Sequence, residues 1–151
     1  MQAVRGIGFV LLLAAALPPE ASAALGGPAS SVAADQDRMK AMREVKPAAA
    51  FSIHEITTPT GTVVREFVSS ATGQVFAVAW QGPFMPDLKQ LLGDHFDTLV
   101  QSAGGQHIGR GNALVQKPGV VIHSGGHMRA FSGKAYLPDP LPEGVRVEDI
   151  R

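Results

Sequence analysis

The stretch from Val75 to Trp80 constrains the fold more than any other part of the chain. It reads Val-Phe-Ala-Val-Ala-Trp, and successive side chains of a β-strand point to opposite faces. Both faces of such a strand are therefore apolar, which is typical of a strand that is covered on both sides. The sequence predicts that Gln74–Gln81 is a central strand of a sheet.

Other strand signals flank this segment. Phe51–Thr58 and Thr62–Ser69 are rich in β-branched residues and are separated from each other and from Gln74 by short turns that contain Gly61 and Gly73. Short turns join antiparallel neighbours, so these segments predict a meander. Nearer the C-terminus, the predicted elements are a short strand and a closing hairpin around two glycines: Ala113–Gln116, then Val120–His123 and Met128–Tyr136 around Gly125-Gly126.

Two helices are also predicted. One begins near Pro86-Asp87 and has an apolar stripe at helical spacing, formed by Leu88, Leu91, Leu92, Phe96, Leu99 and Val100. A weaker surface helix is expected from Ser30 or Ser31 to Val45, with Asp35 near its positive end and Lys46-Pro47 after it.

These elements predict an α+β fold: an antiparallel meander sheet of about five strands, one amphipathic helix packed on it, and a weaker N-terminal helix. The expected segments are an N-terminal segment at 24–50, an α+β core at 51–137 and a Pro-rich tail at 138–151. With Pro138, Pro140 and Pro142, the tail is expected to be extended and to lie on the surface.

The N-terminus has the order of a secretory signal peptide. Arg5 precedes an apolar run from Ile7 to Leu17, and Ala21-Ser22-Ala23 offers small residues for cleavage. This run is shorter than the roughly 20 residues that span a bilayer, so cleavage near Ala23 is favoured over an uncleaved anchor. The predicted location is the periplasm or the exterior, with no stable membrane anchor after cleavage.

The net charge and the absence of cysteine exclude several classes of protein and of functional site. The formal net charge is zero, and it stays zero when Arg5 and Glu20 are removed with the leader. No basic field for nucleic-acid binding is present. The chain has no cysteine, so it has no disulfide, no thiolate nucleophile and no cysteine that carries a lipid.

His123 and His127 form the only close histidine pair. If Ser124–Gly126 were a three-residue hairpin loop, the two side chains would face each other with Cβ atoms about 5 Å apart, which suits zinc or copper. If the loop were only Gly125-Gly126, they would not face each other. A third ligand, such as His54 or His107, would still be needed. The alternative is that both histidines are polar residues beside a hairpin.

Other polar clusters carry weaker signals. Asp94, His95 and Asp97 include an Asp-His pair, which suggests acid–base chemistry, but helical neighbours one residue apart point in different directions. The alternative is a histidine at the border of the apolar stripe beside two solvated carboxylates. No Gly-x-Ser-x-Gly motif surrounds a serine. The glycines of the 104–111 loop do not follow a strand and open a helix, so they do not predict a phosphate site. No catalytic residue and no cofactor are assigned.

The most unusual stretch is Trp80–Pro86, which joins the predicted central strand to the main helix. Trp80, Phe84 and Met85 place large apolar side chains at this junction. Exposed aromatic and methionine side chains can form a binding surface. The alternative is that they close one end of the core.

Long motifs of the chain resemble a known family. They are Val64–Val68, Gly73–Pro83, Pro86–Leu88, Gln90–Gly93, Ser124–Phe131 and Gly133–Pro138. Over nearly all of the mature chain, the sequence resembles the small exported proteobacterial proteins catalogued as domain of unknown function 2844. The resemblance implies a signal peptide, a single domain and no assigned activity, and it brings no catalytic or ligand residues.

Two classes of function stay open from the sequence. The first is a non-catalytic envelope module that binds or helps to assemble another exported protein. The alternative is a metal-binding protein or hydrolase that uses His123 and His127.

Overall fold

The fold is built around β4 (Val75–Gly82), the middle strand of an antiparallel sheet. The computed structural model describes residues 25–102, 111–139 and 141–151, and their sheet has seven strands in the order β1-β2-β3-β4-β7-β6-β5. Every residue of Val75–Trp80 is buried, as expected for a central strand. The other strands are β1 (Met42–Pro47), β2 (Phe51–Thr57), β3 (Val63–Ser69), β5 (Ala113–Lys117), β6 (Val120–His127) and β7 (Ala130–Tyr136).

The first four strands form one meander, and β5, β6 and β7 form a second one. After β4 the chain crosses to the opposite edge, where β5 forms, and β6 and β7 then return so that β7 pairs with β4. The crossover contains α2 (Leu88–Leu92), a 3-10 turn (Gly93–His95) and α3 (Phe96–Ser102). The Asp87 side chain accepts a hydrogen bond from the backbone N–H of Gln90 and so caps the start of α2.

One face of the sheet is covered by helices. Leu88, Leu91, Leu92 and Leu99 of the predicted stripe are buried there. Val32 of α1 (Ser31–Met39) is also buried in this cluster. Fully burying such a side chain stabilises the fold by ~1.5–3 kcal/mol, so packing of the stripe holds the crossover on the sheet.

The C-terminal tail covers the opposite face. Ile150 is completely buried against Phe67 and Phe76, and Leu141 and Val145 pack beside it. Phe51 lies with its ring centroid 5.9 Å from those of Phe67 and Phe76. The expectation that the tail lies on the surface is therefore wrong for Ile150, whose side chain is part of the second core.

The predicted count of about five strands is wrong, and the sheet dominates the described fold. The predicted helix to Val45 ends at Met39, where Lys40 adopts a left-handed conformation with φ 50°. Met42–Pro47 then forms β1, which pairs with β2. All six residues of this edge strand are exposed, so it lacks the alternation that identifies a strand, and its pairing partner decides its structure.

The predicted hairpin is also placed differently. Gly125 and Gly126 lie inside β6, and the turn is Met128-Arg129, since His127 pairs with Ala130. A Cβ on Gly126 would lie 2.7 Å from Cα of Phe131, so this glycine permits close strand approach and does not form the turn.

Some predictions fall outside the described residues. They are the signal peptide at 1–23, His107 and most of the glycine-rich loop. Within the described ranges, no helix has the length and apolar character needed to cross a membrane.

Candidate functional site

The junction after β4 holds Phe84 in a fixed position. Thr62, which is buried just before β3, donates a hydrogen bond from Oγ1 to the backbone oxygen of Phe84 at 2.8 Å. The same Oγ1 accepts a hydrogen bond from the backbone N–H of Phe84 at 3.3 Å. One buried hydroxyl therefore fixes both backbone polar groups of this residue.

Close packing at Gly82 reinforces the same junction. A Cβ at this position would lie 2.6 Å from Oγ1 of Thr62, a separation at which one of the two residues must move. Glycine therefore lets β4 approach the turn before β3 closely enough for Thr62 to reach Phe84.

The structure separates the three residues of the predicted binding surface. Trp80 is only 2% exposed and belongs to the core beneath the helices. Met85 is half-buried and packs against the same cluster. The Phe84 side chain is 56% exposed. Phe84 is thus the member of this set that a partner can reach most directly, and binding through it stays a prediction.

Two exposed methionines lie at the same end of the sheet as Phe84. Met42 pairs with Thr57, Thr57 with Val63, and Val63 with Gln81, so the start of β1 and the end of β4 share one end. Gly82 pairs with Phe131, which places the Met128-Arg129 turn at that end too. Met42 is 82% exposed and Met128 is 86% exposed. We call Met42, Phe84 and Met128 the apolar rim.

The rim residues suit recognition of another apolar surface. Methionine is flexible and polarisable and adapts to different partners, and an aromatic side chain offers a large contact area. Sequence reasoning identified Phe84, but it assigned Met42 to a helix and Met128 to a strand. No local pattern in the sequence brings these three positions together, because the strand pairing does so.

The two histidines of the alternative site do not face each other across a hairpin. His123 and His127 lie on the same strand, where they pair with Lys134 and Ala130. Four residues of extended strand span ~13 Å. Among the described residues, no group of three or more His, Cys, Asp or Glu side chains is arranged to hold a metal ion.

The acid–base candidates on the helical segment are spread over its surface. Asp94 and Asp97 are exposed and His95 is half-buried. They line or border an open groove that also contains Arg38 and Lys89. These groups lie in contact with solvent and show no arrangement that would activate one of them.

A buried pair of carboxyl groups lies between α1 and the sheet. Asp35 of α1 and Glu66 of β3 are each 1% exposed. The Gln90 side chain donates a hydrogen bond to Oδ1 of Asp35. Burial raises the pKa of Asp35 to about 6. Burial, together with the charge of Asp35, raises the pKa of Glu66 to about 9.

His54 lies beside this pair, directly opposite Glu66 on β2. Its Nε2 is 3.1 Å from Oγ of Ser52, while its Nδ1 is buried without a partner among the described residues. Burial lowers the pKa of His54. The neutral imidazole is therefore the favoured form in the folded state.

Sequence reasoning missed this cluster, although a signal for Glu66 was present. Glu66 lies two residues after Val64, so it occupies an inward position of the β3 alternation. A charged residue at such a position is rarely buried without a partner. Asp35 gave no signal, because an acid near a helix start is explained by the helix dipole.

Comparison with known proteins places the chain in a family. Residues 21–150 match the model of a family described as "Protein of unknown function (DUF2844)", and the chain belongs to that family. The match confirms the predicted family membership. No curated protein and no solved structure matches the chain.

Proposed function

We propose that this protein is an exported, non-catalytic binding or assembly module of the cell envelope. Its apolar rim docks against an apolar surface of another exported protein. The observation that carries the proposal is the Phe84 side chain, which is 56% exposed on a backbone fixed by Thr62.

A fixed aromatic residue favours binding for an energetic reason. Ordering a flexible side chain or loop at an interface costs roughly 0.5–1.5 kcal/mol for each immobilised side chain. The two hydrogen bonds from Thr62 and the close contact at Gly82 order the Phe84 backbone before any partner arrives. Aromatic residues, phenylalanine among them, are enriched in the cores of protein interfaces.

The rim also accounts for exposed methionines that the fold does not need. Met42 and Met128 belong to neither described core cluster, so their apolar surface contributes little to folding. A partner that covers them together with Phe84 would bury that surface. The leader pattern before Ala24 supports an exported partner as the natural counterpart.

The test is in-cell crosslinking with a photoreactive phenylalanine analogue in place of Phe84, followed by mass spectrometry. Position 100 is the matched control, because Val100 is an exposed apolar residue on α3, outside the rim. We expect position 84 to capture an exported protein that position 100 does not capture. Met42→Ser and Met128→Ser should reduce this crosslink without unfolding the protein.

Identical crosslinking patterns from positions 84 and 100, or none from position 84, would reject the rim as a docking surface. Export is tested separately by the mass of the mature protein. Cleavage near Ala23 removes the leader, whereas a mature protein that retains Met1 would contradict cleavage.

A further inference from the structure

The contact between α1 and the sheet has an acidic centre. Val32 and Asp35 are buried on this side of the helix, and Glu66 meets Asp35 from β3. Placing two ionised carboxylates in such a site is unfavourable, because each loses water and they repel each other.

The hydrogen-bonding pattern indicates a proton between the two groups. Oδ2 of Asp35 and Oε1 of Glu66 are buried and have no partner among the described residues. An ionised carboxylate has no donor of its own, whereas a protonated one donates an O–H. A single proton on Glu66 therefore supplies the donor that the pair otherwise lacks.

The surrounding groups do not replace this proton. Arg38 on α1 and Arg43 on β1 favour the ionised forms of Asp35 and Glu66, respectively, while Asp87 opposes ionisation of Asp35. Gln90 donates to Asp35. From β2, His54 faces the pair as a neutral ring.

We propose that α1 is a pH-dependent latch on the sheet. When Asp35 and Glu66 share a proton, α1 stays packed on the sheet. When that proton is removed, α1 detaches and uncovers the apolar cluster around Val32. The sheet itself stays folded, because the crossover helices and the tail still cover its two faces.

The direction of the switch follows from the two carboxyl groups. Because the pKa is about 6 for Asp35 and about 9 for Glu66, the pair carries one proton near neutral pH and two in acid. Both states keep a donor between the groups. Above about pH 9 neither proton remains, and two buried negative charges face each other.

The chain has no cysteine, which permits a distance measurement by spin labelling. Ala33→Cys on α1 and Gln116→Cys on β5 provide exposed sites for a latch pair of labels, and Thr57→Cys with Gln116→Cys provides a pair within the sheet. Pulsed electron paramagnetic resonance gives the distribution of distances between the two labels of each pair at pH 7 and pH 10.

We expect the latch pair to give a narrow distribution at pH 7 and a broad one at pH 10, while the sheet pair stays narrow. Glu66→Gln keeps a donor without a titrating group, so the latch pair should stay narrow at both pH values. The control Glu44→Gln removes an exposed acid on β1 and should behave as the unaltered chain.

Three results would overturn the proposal. The first is a latch pair that stays narrow at pH 10. The second is simultaneous broadening of both pairs, which indicates global unfolding. The third is equal broadening with and without Glu66→Gln. If Glu66→Gln does not fold, Asp35→Asn removes the second charge and should likewise keep the latch pair narrow at pH 10.

Discussion

The indole of Trp80 lies directly against Gly133, its partner across β4 and β7. A Cβ at position 133 would lie 2.6 Å from Cε2 of the indole and 2.6 Å from the backbone oxygen of His123. The largest buried side chain of the core is thus accommodated by the absence of a side chain on the neighbouring strand.

This relationship predicts that Gly133→Ala destabilises the protein. The added methyl group has no free space, and overpacking a core typically costs ~1–3 kcal/mol. Urea unfolding followed by Trp80 fluorescence measures the effect. Ser132→Ala, at an exposed position of the same strand, should change the free energy of unfolding by less than about 0.5 kcal/mol. Equal stabilities of the two variants would disprove the close packing at Gly133.

Packing of the crossover helices predicts a large effect of Leu92→Ala. Leu92 is completely buried, and truncating a buried leucine to alanine costs ~2–5 kcal/mol. Val100→Ala on α3 is the matched control, because Val100 is 38% exposed and its truncation leaves no comparable cavity. Thermal or urea unfolding compares the two. A Leu92→Ala variant as stable as the control would contradict packing of the helix on the sheet.

The tail should prove to be part of the folded unit. Ile150 has no exposed surface in the second cluster, so Ile150→Ala is expected to lower the free energy of unfolding by ~2–5 kcal/mol. Arg151→Ala, next in the chain and exposed, should have little effect. The measurement is the urea midpoint of unfolding of each variant, compared with that of the unaltered chain. An unchanged midpoint for Ile150→Ala would mean that the tail does not cover the sheet in solution.

The buried carboxyl pair predicts that stability declines as pH rises. The folded-state pKa of Glu66, about 9, is above its ordinary value of 4.5. The folded state therefore binds this proton more tightly, and the resulting stability is full below pH 4.5 and is lost as pH rises through about 9. Asp35 acts in the same direction from 3.8 to about 6.

Comparison with Glu66→Gln isolates this contribution. His54 has a lowered pKa and acts in the opposite direction as pH falls below 6.5, so the profile of the unaltered chain alone is not decisive. We expect the advantage of Glu66→Gln in free energy of unfolding to increase from pH 6 to pH 9. A constant difference over this range would show that Glu66 does not retain its proton in the folded state.

The two hydrogen bonds between Thr62 and the Phe84 backbone predict different effects of two substitutions at Thr62. Thr62→Val removes the hydroxyl and leaves backbone groups of Phe84 without their partner, at a cost of ~1–3 kcal/mol. It should also weaken the crosslink from position 84, because the backbone that carries this side chain is no longer held in place. Thr62→Ser keeps Oγ and should retain most of the crosslink. If both variants crosslink as efficiently as the unaltered chain, preorganisation does not contribute to binding.

Local patterns in the sequence determined the elements whose buried residues recur at regular spacing. The apolar run Val75–Trp80 identified the central strand, and the leucine stripe beginning at Leu88 identified the helical crossover, because burial imposes a period of two or 3.6 residues. Long motifs likewise identified the family. Phe84 was recognised as a candidate because an aromatic residue at a junction is unusual.

Tertiary structure decided what no local pattern encodes. Met42–Pro47 is a strand only because β2 offers it an edge to pair with. All its residues are exposed, so buried and exposed side chains do not alternate along it. The apolar rim joins residues from distant parts of the chain, and strand order brings them to one end of the sheet. The raised pKa values of Asp35 and Glu66 depend on burial by a helix and a strand that meet only in the folded protein, since a carboxyl group in water has no reason to retain a proton at neutral pH.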